Sequence, residues 1–99
     1  MQLFGYNFEG PYRIEESDEV LNRAPVYVIT NYSKDIIDVG QSGETGTRLD
    51  NHERRPCWKK NDGYYFYICW MPSDRYTQDD RLELERRIRR EYFLSCGEK

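Results

Sequence analysis

Residues 26–30 (VYVIT) are β-branched or aromatic, a composition that favours a strand. Residues 31–35 are polar and turn-like, and the apolar pattern resumes over 36–39, so the two runs read as an antiparallel hairpin. Residues 40–46 are rich in Gly, Ser and Thr and read as a loop. Thr47 can cap a short helix, because its hydroxyl can satisfy an early unpaired N–H. That helix is expected to run to about Arg54 and to be limited by Pro56. Asn61, Asp62 and Gly63 form a turn signal before an aromatic strand over 64–71. A last helix opens at Thr77, its expected cap, and runs to about Phe93, with Gly97 just beyond. The first 24 residues hold short aromatic pieces punctuated by Gly5, Gly10 and Pro11, which suggest a short strand or two and a turn. The order strand, strand, helix, strand, helix predicts a small α+β domain. Its mainly antiparallel sheet should have about three strands flanked by helices, with the N-terminal segment a candidate fourth.

Composition narrows this picture. A chain of 99 residues suits one domain, and although only 37% is apolar, 15% is aromatic, so large rings can fill a small core. No apolar run approaches the roughly 20 residues needed to span a bilayer. The first ten residues lack the basic start and long apolar stretch of a signal peptide. A soluble cytoplasmic protein without membrane partners is therefore the expectation. Cys57, Cys69 and Cys96 are odd in number and far apart, which predicts three free thiols, with Cys69 in the core.

The net charge of −3 hides an asymmetry: residues 1–50 carry four basic and nine acidic side chains, and residues 51–99 carry eleven and nine. The basic residues cluster, with Arg48, Arg54, Arg55, Lys59 and Lys60 in one stretch and Arg81, Arg86, Arg87, Arg89 and Arg90 in another. Such clusters can meet phosphates or simply form solvated helix faces. A pI near 5.2 disfavours non-specific nucleic-acid binding, which rests on charge neutralisation.

Four features occur in order: Tyr27 on the first strand, Gly40 closing the second, Arg48 with His52 four residues later, and an acidic residue on the last helix. This set resembles the GIY-YIG nuclease family. Pro25-Val26-Tyr27 stands at the first tripeptide, and Asp38-Val39-Gly40 at the second, followed by Gln41-Ser42. Arg48-Leu49 and His52 match the family's arginine helix, and Leu84-Glu85 followed by Arg87-Ile88 matches its glutamate motif. The likeness covers residues 25–97, which makes 1–24 an N-terminal extension of a single domain.

The resemblance implies hydrolysis of a DNA phosphodiester, with one divalent cation, Mg2+ or Mn2+, held by Glu85. It also implies that Arg48 contacts the scissile phosphate and that Tyr27 helps activate water or hold the phosphate. The residue types suit the chemistry, because a phosphoryl transition state gathers charge that guanidinium and metal can neutralise. Arg48 and His52 share a helix face, and His52, the one histidine, can serve as base or phosphate donor. The loop residues Gly40, Gln41 and Ser42 and the basic Arg54, Arg55 and Lys59 are candidate phosphate or DNA contacts.

Helix geometry favours Glu85 independently of the family. At about 100° per residue, Glu85 lies about 60° from Ile88, at the edge of the Leu84–Ile88–Tyr92 stripe, whereas Glu83 points away among arginines.

The chain departs from the family's pattern at Asp38, where a tyrosine is expected, and at Leu94 and Gly97, where proline and asparagine are expected. At Asp38 a carboxylate would repel a phosphate unless it helps hold the metal or faces away. Tyr64, Tyr65 or Tyr67 could supply a phenol instead, or simply pack in the core. A chain this short would draw specificity from DNA shape, including branched or damaged DNA, from a homodimer, or from a protein partner. The alternatives are a GIY-YIG-fold module that binds nucleic acid or protein without cleaving, and an interaction module with no nucleic-acid role.

Overall fold

The computed structural model describes residues 1–16, 25–41, 49 and 52–97. Strands β1 (Gln2–Leu3) and β2 (Tyr6–Asn7) form a small hairpin, whose two connecting residues, Phe4 and Gly5, both have positive φ. Strand β3 (Glu9–Arg13) follows, then a 3-10 turn over Ile14–Glu16. Next come β4 (Pro25–Thr30), β5 (Ile36–Gln41), helix α1 (Arg55–Lys60), β6 (Tyr65–Trp70) and helix α2 (Gln78–Glu91). The main sheet has the order β3-β6-β4-β5, with every neighbouring pair antiparallel. The architecture is the expected α+β one, and the N-terminal segment supplies the fourth strand by pairing β3 with β6.

The central strands β4 and β6 are covered on both faces, which is why all six residues of β4 are buried and its sequence is apolar or aromatic up to the final Thr30. Along β4 the side chains alternate. Val26 and Val28 join Val39, Tyr67 and Cys69 beneath Leu84 and Ile88 of α2 and Leu3 and Phe8 of the N-terminal segment. Tyr27 and Ile29 face the other way, with Phe66 and Ile68, against Trp58 of α1, Leu49 and Ile14. Between the pairs Ile29↔Asp38 and Thr30↔Ile36, β5 carries one extra residue, Ile37. This bulge turns Ile37 and Asp38 together toward the α1 side.

The turn 61–63 and the capped last helix fall where expected. Thr77 and Asp80 form a reciprocal box, with Asp80 N–H donating to Thr77 Oγ1 at 3.1 Å and Thr77 N–H donating to Asp80 Oδ2 at 2.8 Å. Helix α2 ends at Glu91, and Tyr92 is an exposed, extended cap rather than part of the buried stripe.

Two expectations are corrected. The helix expected from Thr47 to Arg54 falls mostly outside the described residues, as does Thr47 itself; among the described ones Leu49 is a 3-10 position and 53–54 form a turn, but Pro56 does not limit a helix. A helix starts at Arg55 instead, with Pro56 in its first turn, where the missing N–H costs nothing. Pro56 therefore opens a helix, and burial of Trp58 against the sheet fixes it. The second correction concerns the thiols. Cys57 and Cys96, 39 residues apart in sequence, form a disulfide whose Cα atoms are 6.0 Å apart. Sequence spacing does not limit such a pair once the C-terminal segment returns over β5, where Cys96 N–H donates to Ile37 O at 3.1 Å. Cys69 is free and buried as expected, and burial pushes its thiol up to about 11, so it stays protonated. No helix among the described residues is long and apolar enough to cross a membrane.

Candidate functional site at the outer strand

Strand β5 is one of the two outer strands of the main sheet, and the candidate residues gather around its C-terminal half. Tyr27 of β4 pairs with Gly40 of β5, and its ring lies over that glycine. A Cβ at Gly40 would come within 2.6 Å of the Tyr27 hydroxyl oxygen. Gly40, expected among the phosphate contacts, is buried and makes room for the phenol. Burial raises the Tyr27 pKa well above its ordinary value, Asp38 and Glu85 push the same way, and Arg54 and Arg89 oppose them. Tyr27 is therefore a protonated phenol at neutral pH, a hydrogen-bond donor and not a phenolate base.

Asp38 is fully buried and accepts four hydrogen bonds. Its Oδ2 takes Arg54 Nε at 2.6 Å and Trp58 Nε1 at 2.8 Å. Its Oδ1 takes its neighbour's N–H, Val39, at 2.8 Å and Arg89 Nη2 at 3.3 Å. The same Arg89 nitrogen donates to Val39 O. The Asp38 carboxylate thus neither faces away nor stands bare toward a phosphate. It ties α1, β5 and α2 together.

Glu85, one turn before Arg89 on α2, is half-buried, and Arg89 Nη2 lies 4.0 Å from its Oε1. Burial raises its pKa, with Arg89 and Arg54 pulling it back and Asp38 adding to the rise. Glu83 is exposed and pairs with Arg86, as the helix geometry predicts.

His52 stacks on Trp58 with ring centres 4.8 Å apart, and its Nδ1 accepts from Arg54 N–H at 3.0 Å. That bond puts the imidazole proton on Nε2. Burial, then Arg54, lowers the His52 pKa, so the ring is neutral, with Nε2–H able to donate.

Tyr27, Asp38, Arg54, Glu85 and Arg89 therefore form one neighbourhood, with His52 adjoining it. Arg55 lies at the start of α1, and its Nε and Nη1 are buried without a hydrogen-bond partner. Lys59 is exposed on the last turn of α1, and Gln41 ends β5 with a buried Oε1 that lacks a partner. Arg48 and Ser42 lie outside the described residues. The phenols of β6 divide: Tyr67 is buried in the core, Tyr65 is partly buried and Tyr64, just before the strand, is exposed.

Sequence reasoning missed the roles of Arg89 and Trp58 and read Gly97 only as a departure from an expected asparagine. Arg89 could have been found from its i+4 spacing to Glu85, and Trp58 from its place inside the basic stretch. Gly97 has φ +89°, and a Cβ there would lie 2.5 Å from both Asp38 Oδ1 and Arg89 Nη1. The second basic cluster is dispersed rather than gathered into one phosphate-facing stripe. Arg81 is buried and donates to Met71 O at 2.9 Å, and Arg87 lies 4.3 Å over the Phe4 ring.

No group of three or more His, Cys, Asp or Glu side chains suited to a metal ion occurs among the described residues. A single-carboxylate site is a different case, and Glu85 is the partly buried carboxylate with a raised proton affinity in this neighbourhood, with Arg89, Arg54 and Arg86 acting on it among the described residues. Compared with known proteins, the chain matches no family model, no curated protein and no solved structure.

Proposed function

We propose that this domain hydrolyses DNA phosphodiesters in the GIY-YIG manner, using one divalent cation, Mg2+ or Mn2+, at Glu85. The observation that carries the reading is the packing of the Tyr27 phenol over Gly40, with Glu85 near enough for its charge to raise the phenol's pKa. A half-buried carboxylate whose pKa stays raised despite nearby arginines gains from a hard cation that keeps most of its waters. The bound cation would polarise a phosphoryl oxygen and lower the pKa of a coordinated water. Tyr27 donates its hydroxyl proton to a phosphate oxygen or holds the attacking water by hydrogen bond. His52 offers Nε2–H to the same phosphate, and Arg48 is assigned the scissile phosphate contact. Arg54 is mainly committed to Asp38 and acts through its field. Gln41, Ser42, Arg55 and Lys59 lie along the chain on either side of these groups and are assigned to the DNA backbone. A cytoplasmic location goes with this reading, and there the Cys57–Cys96 pair would be held as thiols.

The test is nicking of supercoiled, branched and single-stranded DNA with Mg2+ or Mn2+. Cleavage by wild type that falls at least a hundredfold in Glu85→Gln is expected. Equal behaviour of the two proteins on all three substrates refutes the catalytic reading.

A second reading, a GIY-YIG-like module that binds without cleaving, is favoured by one observation. Asp38 engages both Arg54 and Arg89, guanidiniums that a phosphate would otherwise use. Metal-independent DNA binding that survives Glu85→Gln, with no nicking, selects it.

A further inference from the structure

At the other end of β4 from Tyr27, and on the α2 side of the sheet, Val26 and Val28 are covered but the last position, Thr30, borders an open cavity of about 350 Å³. Its walls are Tyr32, Tyr65, Tyr67 and Pro11, with Thr30, Asn31 and Lys34 completing the lining. Tyr65 pairs directly with Thr30, and Tyr67 with Val28, so the two rings project from one face of β6. Tyr32 stands in the β4–β5 turn, 85% exposed, with its ring centre 6.4 Å from that of Tyr65. The turn itself is braced independently of these rings. Asn31 Nδ2 donates to Asp35 Oδ2 at 3.1 Å, and Asp35 N–H donates to Asn31 Oδ1 at 3.0 Å. Thr30 is fully buried, yet its Oγ1 has no hydrogen-bond partner.

We propose that this cavity takes one unpaired nucleobase of a single-stranded nucleic acid, with Lys34 on an adjoining phosphate. Three features select that occupant together. Flat phenol walls favour a planar ring, since stacking on aromatic side chains is tolerant of base identity. The polar groups that share the lining, the tyrosine hydroxyls and the Asn31 amide, favour a ring with a polar edge, which a base has and an aliphatic chain lacks. The rim cation favours an anion attached to that ring. The size agrees, because 350 Å³ is at the small end of ligand sites and suits one nucleotide, not a duplex. A base seated here would fix a strand at the hairpin tip, away from the Gly40 end. The inference shares only the nucleic-acid partner with the proposed function and needs neither metal nor Glu85.

The experiment is fluorescence anisotropy of labelled dT10, dA10 and an abasic ten-mer in EDTA, so that cleavage plays no part. Tyr32→Ala is expected to weaken dT10 and dA10 about tenfold, the loss of one stacked base. Tyr32→Phe should stay within about twofold, and Lys34→Ala should weaken binding and reduce the salt slope by about one. The abasic strand should bind wild type as weakly as dT10 binds Tyr32→Ala. Because Tyr32 is exposed, its removal leaves the fold intact, which circular dichroism checks. Unchanged affinity in Tyr32→Ala, equal affinity for the abasic strand, or no oligonucleotide binding by wild type overturns the proposal. So does capture of a proline- or aromatic-rich peptide in place of any oligonucleotide. Nicking with Tyr32-independent binding would sink this inference alone, and Tyr32-dependent binding without nicking would sink only the nuclease.

Discussion

Asp38→Asn is the substitution that the geometry makes most informative. The amide is the same size, so packing is conserved and charge alone changes. Four donors now converge on the carboxylate: Val39 N–H, Arg54 Nε, Trp58 Nε1 and Arg89 Nη2. An asparagine offers one acceptor oxygen and turns an N–H2 toward the rest, so at least two donors lose their partner. Removing one partner from a buried ion pair costs about 3–5 kcal/mol. Side-chain exposures of 26% for Arg54 and 18% for Arg89, against 0% for Asp38, let water recover part of that. We therefore expect a loss of about 3 kcal/mol, at the lower end.

For a domain this size, 1 kcal/mol moves the melting temperature by about 4–8 °C, so Asp38→Asn should lower it by about 15 °C. Calorimetry at pH 7 reads the shift. Glu83→Gln is the control, because the Glu83–Arg86 pair is exposed and worth at most about 1 kcal/mol. A double-mutant cycle with Arg54→Gln should return a coupling above about 1 kcal/mol. A fall of less than 4 °C for Asp38→Asn, with no coupling to Arg54, would refute the view that this buried ion network holds the site together.

Two further outcomes follow from the structure. Reducing the Cys57–Cys96 bond, or replacing Cys96 by serine, opens a loop of 39 residues, and the loop-closure entropy predicts a loss of about 4 kcal/mol in urea unfolding; a loss under about 1 kcal/mol would mean the segment is held by packing alone. The lowered His52 pKa means that the folded state binds fewer protons than the unfolded chain below its ordinary pKa of 6.5, so His52 contributes stability that is present above that pH and lost as pH falls through its folded value. The urea midpoint should therefore rise from pH 5 to pH 7 more steeply in wild type than in His52→Gln, and identical slopes would contradict it.

The elements that were legible in the sequence are the ones decided locally. Residues 25–41 announce a hairpin because β-branched runs flank a polar turn, and α2 announces its start through Thr77 and Asp80. The pairing of β3 with β6 was open, because it rests on contacts such as Tyr12 with Phe66, 54 positions apart, that no local pattern encodes. Pro56 was ambiguous in principle: a proline can follow one helix or open another, and the arbiter is the buried Trp58. In the site, Tyr27 and Gly40 were readable as hairpin partners and Glu85 as a residue at the edge of an apolar stripe. The Arg54–Asp38–Arg89 network was not, since it joins three elements whose approach only the tertiary fold sets.

The departures at Asp38 and Gly97 looked independent in the sequence, one removing a phenol and the other an amide. In space they adjoin. A side chain at 97 would strike Asp38 Oδ1 and Arg89 Nη1, and a tyrosine at 38 would need the volume that Arg54, Trp58 and the returning C-terminal segment fill. A compact carboxylate at 38 and a glycine at 97 are thus two halves of one arrangement. Together they let residues 94–97 lie against β5, where the Cys57–Cys96 bond fastens them to α1. A tyrosine placed at 38 would therefore strand two guanidiniums and displace that segment. The chemistry proposed for this domain falls accordingly on Tyr27 and Glu85, the two groups that the Asp38 network surrounds but does not consume.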